Sequence, residues 1–313
     1  MKYQFMAGER GAHSVGKMAE VLGVSRSGYH SWVGRGESRH TEDERELEKE
    51  IRGIQKKVKR RYGSPRVTAA LRRSGRRVGH NRVARIMREN DLQARPKRRF
   101  RLTTKADPGA VAAENLLARN FAVPGVNQVW VSDITYIPTT EGWLYLAVVL
   151  DLCARRVVGW SMSSRLAVEL VLRALWMAVL RRGPAKGLVF HSDRGSQYTS
   201  HAFRKDLEYA GMRQSMSRRG DCWDNAPSEA FFKSLKTELM EGAKAFAGRE
   251  AAKAAIFEYV EVFYNRRRLH SSLGYMTPVE YEEVISGGYQ DTNSPEKMRL
   301  RPSTEVVSQG STA

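Results

Sequence analysis

A near-continuous apolar run, Trp143–Cys153 (WLYLAVVLDLC), lies beside an alternating segment rich in β-formers, Gln128–Pro138 (QVWVSDITYIP). A strand with no polar face is buried on both sides. It therefore needs strands beside it and helices above and below. The following segments supply them. Val157–Ser163 reads as a third strand, and Ala167–Arg182 as a helix with Val171, Leu172, Leu175 and Val179 on one side. Leu188–His191 reads as a short strand, Ser200–Gly211 as a helix ended by glycine, and Met212–Met216 as a fifth strand. A helix begins near Asn225-Ala226-Pro227, and residues 249–268 form another. The order β-β-β-α-β-α-β-α predicts an α/β fold, a mixed five-stranded sheet with helices on both faces.

The first third of the chain has a different pattern. In KMAEVLGVSRSGYHSW, residues 17–32, a helix to Leu22, a turn at Gly23 and a helix capped by Ser25 predict a helix-turn-helix. Ala19, Leu22, Val24, Tyr29 and Trp32 are its expected core; a plain helical hairpin fits equally well. Residues 41–61 read as a charged helix with Leu47, Ile51, Ile54 and Val58 on one face. A helix starting at Pro65 and a second from Asn81 to Asn90 form another helix-turn-helix candidate, with Val83, Ile86 and Met87 inward. Arg82, Arg85 and Arg88 face outward, as on a helix that enters a DNA groove or meets phosphates.

Charge separates the same regions. Residues 1–50 carry a balance of −1, residues 51–105 a balance of +18, and residues 106–313 a balance of +2. Nearly all of the net +19 therefore sits in one 55-residue stretch. It ends in RPKRRFRLTTK, where Lys97, Arg98 and Arg99 read as a linker tracking a phosphate backbone. This asymmetry points to a nucleic-acid-gripping module joined to something that does another job. The expected layout is a helical DNA-binding region over 1–94, a basic linker over 95–124, an α/β core over 125–285 and a disordered tail over 286–313. The chain has two cysteines, Cys153 and Cys222, with no C-x-x-C pair, so neither a disulfide scaffold nor a zinc site in the N-terminal third is expected. No apolar run reaches membrane-spanning length and no signal sequence opens the chain, which predicts a cytoplasmic protein without a membrane partner.

Three acids stand at informative places. Asp133 interrupts the first strand, where a charge is costly unless used. Asp193 follows the strand LVFHS, and Glu229 falls in the first turn of the helix after Pro227. Each has an ordinary structural reading: a satisfied strand residue, a turn residue, a helix-start charge. Together, hard oxygen ligands at strand ends and a facing helix suit magnesium or manganese. His191 reads as a packed residue, and Asp151 and Asp224 as structural acids. Gly11 to Lys17 has Walker A spacing, but Met18 stands where a hydroxyl should be and no strand precedes it.

The words WVSDITYI, HSDRGSQYTS, DNAPSEAFFKSLKTEL and YNRRRLHSSLGYMTP closely resemble the integrase-core transposases of bacterial two-frame insertion sequences, specifically their second-frame product. The 35 residues between Asp193 and Glu229 match that family's Asp, Asp, Glu signature. The resemblance implies an RNase H-like fold and makes Asp133, Asp193 and Glu229 the catalytic, metal-binding triad for two Mg2+ or Mn2+ ions. The implied reaction is hydrolysis at the 3′ end of the element, then attack of the freed 3′-hydroxyl on another phosphodiester. Lys236 matches a basic family position near the scissile end. Helical spacing also places Lys233 and Lys236 on the face of Glu229, with Phe231, Leu235 and Leu239 toward the core. The implied partners are DNA, both element ends and target, a homo-oligomer in the active complex, and an upstream-frame protein or fusion. Two rivals remain: a metal-dependent nuclease of the same fold that cuts without joining, and a non-catalytic DNA-binding remnant.

Overall fold

The computed structural model describes residues 1–35, 39–94, 113–218, 221–240 and 245–287. Lys97, Arg98 and Arg99 of the expected linker, and the tail beyond residue 287, fall outside them. The chain divides into two compact units, Met1–Lys97 and Arg98–Ala313.

The first unit is all helical. Helices α1 (Lys2–Gly8), α2 (Val15–Leu22) and α3 (Arg26–Gly34) surround Met6, Met18, Ala19 and Tyr29. Gly23 makes the turn in the left-handed region at φ 62°, and the Ser25 hydroxyl caps α3 by accepting the Gly28 N–H at 2.9 Å. Two differences from expectation lie in this core. Helix α1 is not expected from the sequence, and its Met6 is fully buried in this core whereas Trp32 is not. Trp32 is 40% exposed and lies against Tyr29 and Tyr3 instead. Helix α4 (Arg39–Lys57) buries Leu47 and Ile51 as expected. It ends before Val58, and its third buried residue is Gln55, whose amide donates to the carbonyls of Tyr62 and Leu92. That bond ties α4 to both ends of the pair α5 (Ser64–Arg73) and α6 (His80–Glu89), which adds Val67, Leu71, Val83, Ile86 and Met87 to the core.

The second unit holds one five-stranded sheet with the order β3-β2-β1-β4-β5. Its strands are β1 (Val129–Thr139), β2 (Gly142–Asp151), β3 (Val157–Ser163), β4 (Val189–Ser192) and β5 (Arg213–Met216). β1 pairs antiparallel with β2, β2 antiparallel with β3, and β4 parallel with both β1 and β5. On one face α7 (Val168–Arg182), the single turn α8 (Ser196–Thr199) and α9 (His201–Tyr209) close a core around Trp130, Val158, Leu175, Phe190, Phe203 and Leu207. Helices α10 (Ala226–Leu239), α11 (Arg249–Phe257) and α12 (Pro278–Ile285) complete the unit. The expected long helix 249–268 is regular only to Phe257. It widens into a π-helical segment, Glu258–Tyr264, that buries Tyr259, Val260, Phe263 and Tyr264 together. Asn265 then pairs its amide with the N–H and C=O of Val157, as a neighbouring strand would.

β3 and α7 touch backbone to backbone at Gly159, where an added Cβ would lie 2.2 Å from the Ala174 carbonyl oxygen. Gly159→Ala is expected to lower unfolding stability by about 1–3 kcal/mol through overpacking. Gly53→Ala, in α4 with open space around it, should instead raise it by roughly 0.5–1 kcal/mol. Urea denaturation of the two variants checks the contrast.

Candidate active site

β1 is the central strand, yet its two neighbours differ in extent. It pairs with β2 along its whole length, but with β4 only through Val129↔Val189, Trp130↔Phe190 and Val131↔His191. Two steps beyond that last pair the chains reach Asp133 and Asp193. Both acids thus lie just past the point where the parallel ladder stops: Asp193 follows the carboxyl end of β4, while Asp133 lies mid-strand in β1. By strand alternation Asp133 shares a face with Val131 and Ile137, opposite the core formed with α7 and α9. Glu229 enters from the first turn of α10, behind Pro227, while Phe231, Leu235 and Leu239 of the same helix are buried as expected.

The charges of these groups act on Asp133. Burial pushes the Asp133 carboxyl well above the usual carboxylate range, and the negative charges of Asp193 and Glu229 push further in that direction. A hydrogen bond from the Ile134 N–H at 2.7 Å and the charge of Lys236 pull the other way. Asp193 is raised by burial and restrained by the Gly195 N–H, which it accepts at 3.0 Å. Burial also raises Glu229. Lys236 is half-buried; burial lowers its pKa and the charge of Asp133 opposes that shift. Lys233 is exposed one turn earlier.

Among the described residues, no three His, Cys, Asp or Glu side chains are drawn together closely enough to form a metal cage. Like charges in a low-dielectric site repel. The donor set nevertheless fits a hard divalent cation: carboxylate oxygens only, partly buried, each raised in pKa by burial, and Asp133 further by the charges of Asp193 and Glu229. A cation would offset both penalties.

The residues kept outside the triad have structural partners. His191 is fully buried between the Ser215 hydroxyl at 2.8 Å and the Ser217 hydroxyl at 3.2 Å, and burial draws its pKa down to about 4. Neutral, it links β4 to β5 and the turn after it. Asp151 accepts the N–H groups of Asn127, Cys153 and Ala154. Asp224 is buried beneath Arg218 and Arg119 and also accepts the Asn115 amide at 2.9 Å. Those arginines hold its carboxyl well below the usual range. The cluster ties residues 115–119 to the approach to α10. Sequence reading missed it, because Arg119 is 105 positions from Asp224.

Two of the three α6 arginines have acidic partners. Arg82 sits on Asp43 at 2.7 Å, and Arg85 on Glu44 and on Glu89 at 2.9 Å. Of the three, Arg88 is exposed. The acids of α4 lie some forty positions away in sequence, so spacing within α6 could not reveal them.

With this geometry in view, comparison with known proteins identifies the class. Residues 124–222 and 229–284 match the integrase core domain, and residues 42–100 match an HTH-like domain. The chain is 42% identical over 266 residues to the insertion element IS600 31 kDa protein of Shigella sonnei, covering 85% of this chain and 97% of that one. It is 40% identical over 284 residues to the transposase InsF for insertion sequence IS3A of Escherichia coli K12, covering 90% and 98%. The catalytic core domain of BIV integrase is a distant likeness, with 19% identity and a TM-score of 0.38 over 52% of this chain and 99% of that one. The chain belongs to the IS3-family transposases, with an RNase H-like integrase core and an HTH-like helical region. Family and HTH-like match both support DNA as its binding partner. No helix among the described residues is long and apolar enough to cross a membrane.

Asp224→Ala should lower stability by about 1–3 kcal/mol, because half-exposed Arg119 and Arg218 recover water while the partly buried Asn115 amide loses its acceptor. Asp224→Asn, which keeps an acceptor, should lose less. Calorimetry on both variants checks the order.

Proposed function

We propose that this transposase cuts the ends of its element and joins them to target DNA by metal-dependent phosphoryl transfer, with Asp133, Asp193 and Glu229 as the catalytic carboxylates. The reading rests on the position of Asp133 and Asp193, each two residues past the last β1–β4 pair, with the charges of Asp193, Glu229 and Lys236 all acting on Asp133. Asp133, Asp193 and Glu229 would hold one or two divalent cations, Mg2+ or Mn2+. When bound, such ions supply activation of the attacking oxygen and neutralisation of the leaving oxygen. The chain supplies the rest. The sheet and α10 fix the three carboxylates on rigid elements, and burial keeps them poorly solvated, so their interaction with a cation is strong. Lys236, a point charge beside Asp133, binds a phosphate of the element end, with Lys233 one turn away on the exposed side of α10. In the first step a water oxygen bonds to phosphorus as the bond to the 3′ oxygen breaks, freeing a 3′-hydroxyl. In the second, that oxygen attacks a target phosphodiester and displaces the next 3′ oxygen.

The helical region and the basic stretch hold the DNA. Arg88, Lys97, Arg98 and Arg99 contact phosphates directly, whereas Arg82 and Arg85 reach DNA by exchanging Asp43 and Glu44 for phosphate. The working layout follows the sequence reading: 1–94 grips DNA, 95–124 links, 125–285 cuts and joins. The protein works in the bacterial cytoplasm as a homo-oligomer on paired ends, with an upstream-frame partner or fusion.

Asp133→Asn, Asp193→Asn and Glu229→Gln should each reduce Mn2+-dependent end cleavage by on the order of 10³ or more, the scale lost with an active-site electrostatic group, while DNA binding persists. A pre-cut end should be joined by the unaltered protein. Cleavage without joining would favour the nuclease rival. Replacing Lys97, Arg98 and Arg99 by Ala should flatten the dependence of log K on log salt by about 0.9 for each phosphate no longer neutralised; an unchanged slope would remove them from the interface.

A further inference from the structure

The three acids ride on three separate segments: β1, the turn after β4, and the first turn of α10. One residue touches the other two segments. Ser132 precedes Asp133 in β1. Its hydroxyl lies 2.8 Å from the Tyr198 hydroxyl, and its carbonyl accepts the Asn225 side-chain amide at 3.2 Å. Tyr198 belongs to α8, five residues after Asp193, and Asn225 stands four residues before Glu229. All three are buried: Ser132 and Tyr198 at 1% exposure, Asn225 at 4%. Tyr198 is further fixed by its carbonyl, which accepts the Gln214 amide at 2.8 Å from β5, and by its ring, which packs edge-on against Phe203.

We infer that Ser132, Tyr198 and Asn225 form a positioning device that sets the spacing of the three carboxylates for metal. The inference rests on the reading that those carboxylates hold metal. Its physical basis is the end of the parallel ladder. Past Val131↔His191, β1 has no β4 partner to fix its separation from the Asp193 turn. The Ser132–Tyr198 bond supplies that restraint at the next residue. α10 is likewise joined to β1 at this point by a buried hydrogen bond, directed at the carbonyl adjoining Asp133. Buried hydrogen bonds between neutral groups have fixed direction and no competing water, so they hold geometry well. Groups that orient metal ligands without touching the metal commonly matter for affinity about 10- to 100-fold when removed. Ser132, Tyr198 and Asn225 are positioning residues in this sense: none of them ligates.

Tyr198→Phe removes one oxygen and keeps the ring; Asn225→Ala removes the amide. The full chain, the two single variants, the double variant and Asp193→Asn would be compared by Mn2+ titration followed by electron paramagnetic resonance, with melting temperature and end-DNA binding measured alongside. The expected result is Mn2+ affinity weakened about tenfold or more in each single variant, with DNA binding kept. The double variant should lose less than the product of the singles, because both act through Ser132. Should Asn225→Ala fail to fold, Tyr198→Phe and Ser132→Ala carry the test. Lowered melting temperature with unchanged Mn2+ affinity in Tyr198→Phe would make the cluster merely structural and overturn the inference. Unchanged affinity in Asp193→Asn would instead overturn the metal reading, a distinguishable failure.

Discussion

A carboxylate in the central strand of a buried sheet is costly unless the strand beside it ends. The short β4 provides that ending. Because it pairs with β1 for only three residues, Asp133 meets the turn at Asp193 rather than a continued ladder. The rest of the catalytic unit serves this arrangement. β2 pairs β1 along its whole length and holds the strand straight past the point where β4 stops, and β3 is locked to α7 by the close approach at Gly159. α10 presents Glu229 and Lys236 on one face while Phe231, Leu235 and Leu239 anchor the other. α10 is held lower down as well: buried Glu238 accepts from the Tyr259 hydroxyl within the π-helical segment and from Arg268 beyond it. A buried ion pair is weak evidence of stability but good evidence of a fixed geometry when fully hydrogen-bonded, as here.

Charge is handled differently in the two units. In the catalytic unit the acids that serve structure are neutralised by nearby donors. Asp224 lies under Arg119 and Arg218, and Asp151 accepts three backbone N–H groups. Asp133 and Asp193 have one backbone donor each and bear the cost of burial. That contrast marks them out from their better-satisfied neighbours. In the helical unit, Asp43 and Glu44 occupy two arginines of α6 and leave Arg88 exposed.

Much of this was legible in sequence, for physical reasons. The period-two pattern of β1 and the apolar β2 exist because one strand has two differently used faces and the other is buried on both, so their positions came out within a residue or two. The three candidate acids stand out in the sequence because each breaks its local pattern or sits at an element boundary. What failed depended on distant partners. Trp32 reads as core in sequence yet is 40% exposed while Met6 of an unforeseen helix is buried, and the acids that pair with Arg82 and Arg85 come from α4. The tie through Ser132 was invisible for the same reason: serine in a strand carries no signal until Tyr198 and Asn225 arrive, 66 and 93 positions later.

The central claim is that the end of the β1–β4 ladder is a divalent-cation site. Anomalous diffraction from crystals of the full chain soaked in Mn2+ tests it most directly. The expected result is a strong anomalous peak bonded to carboxylate oxygens of both Asp133 and Asp193, on the side from which Glu229 enters. No peak there at saturating Mn2+, or peaks only at other acids such as Asp151 or Asp224, would contradict it.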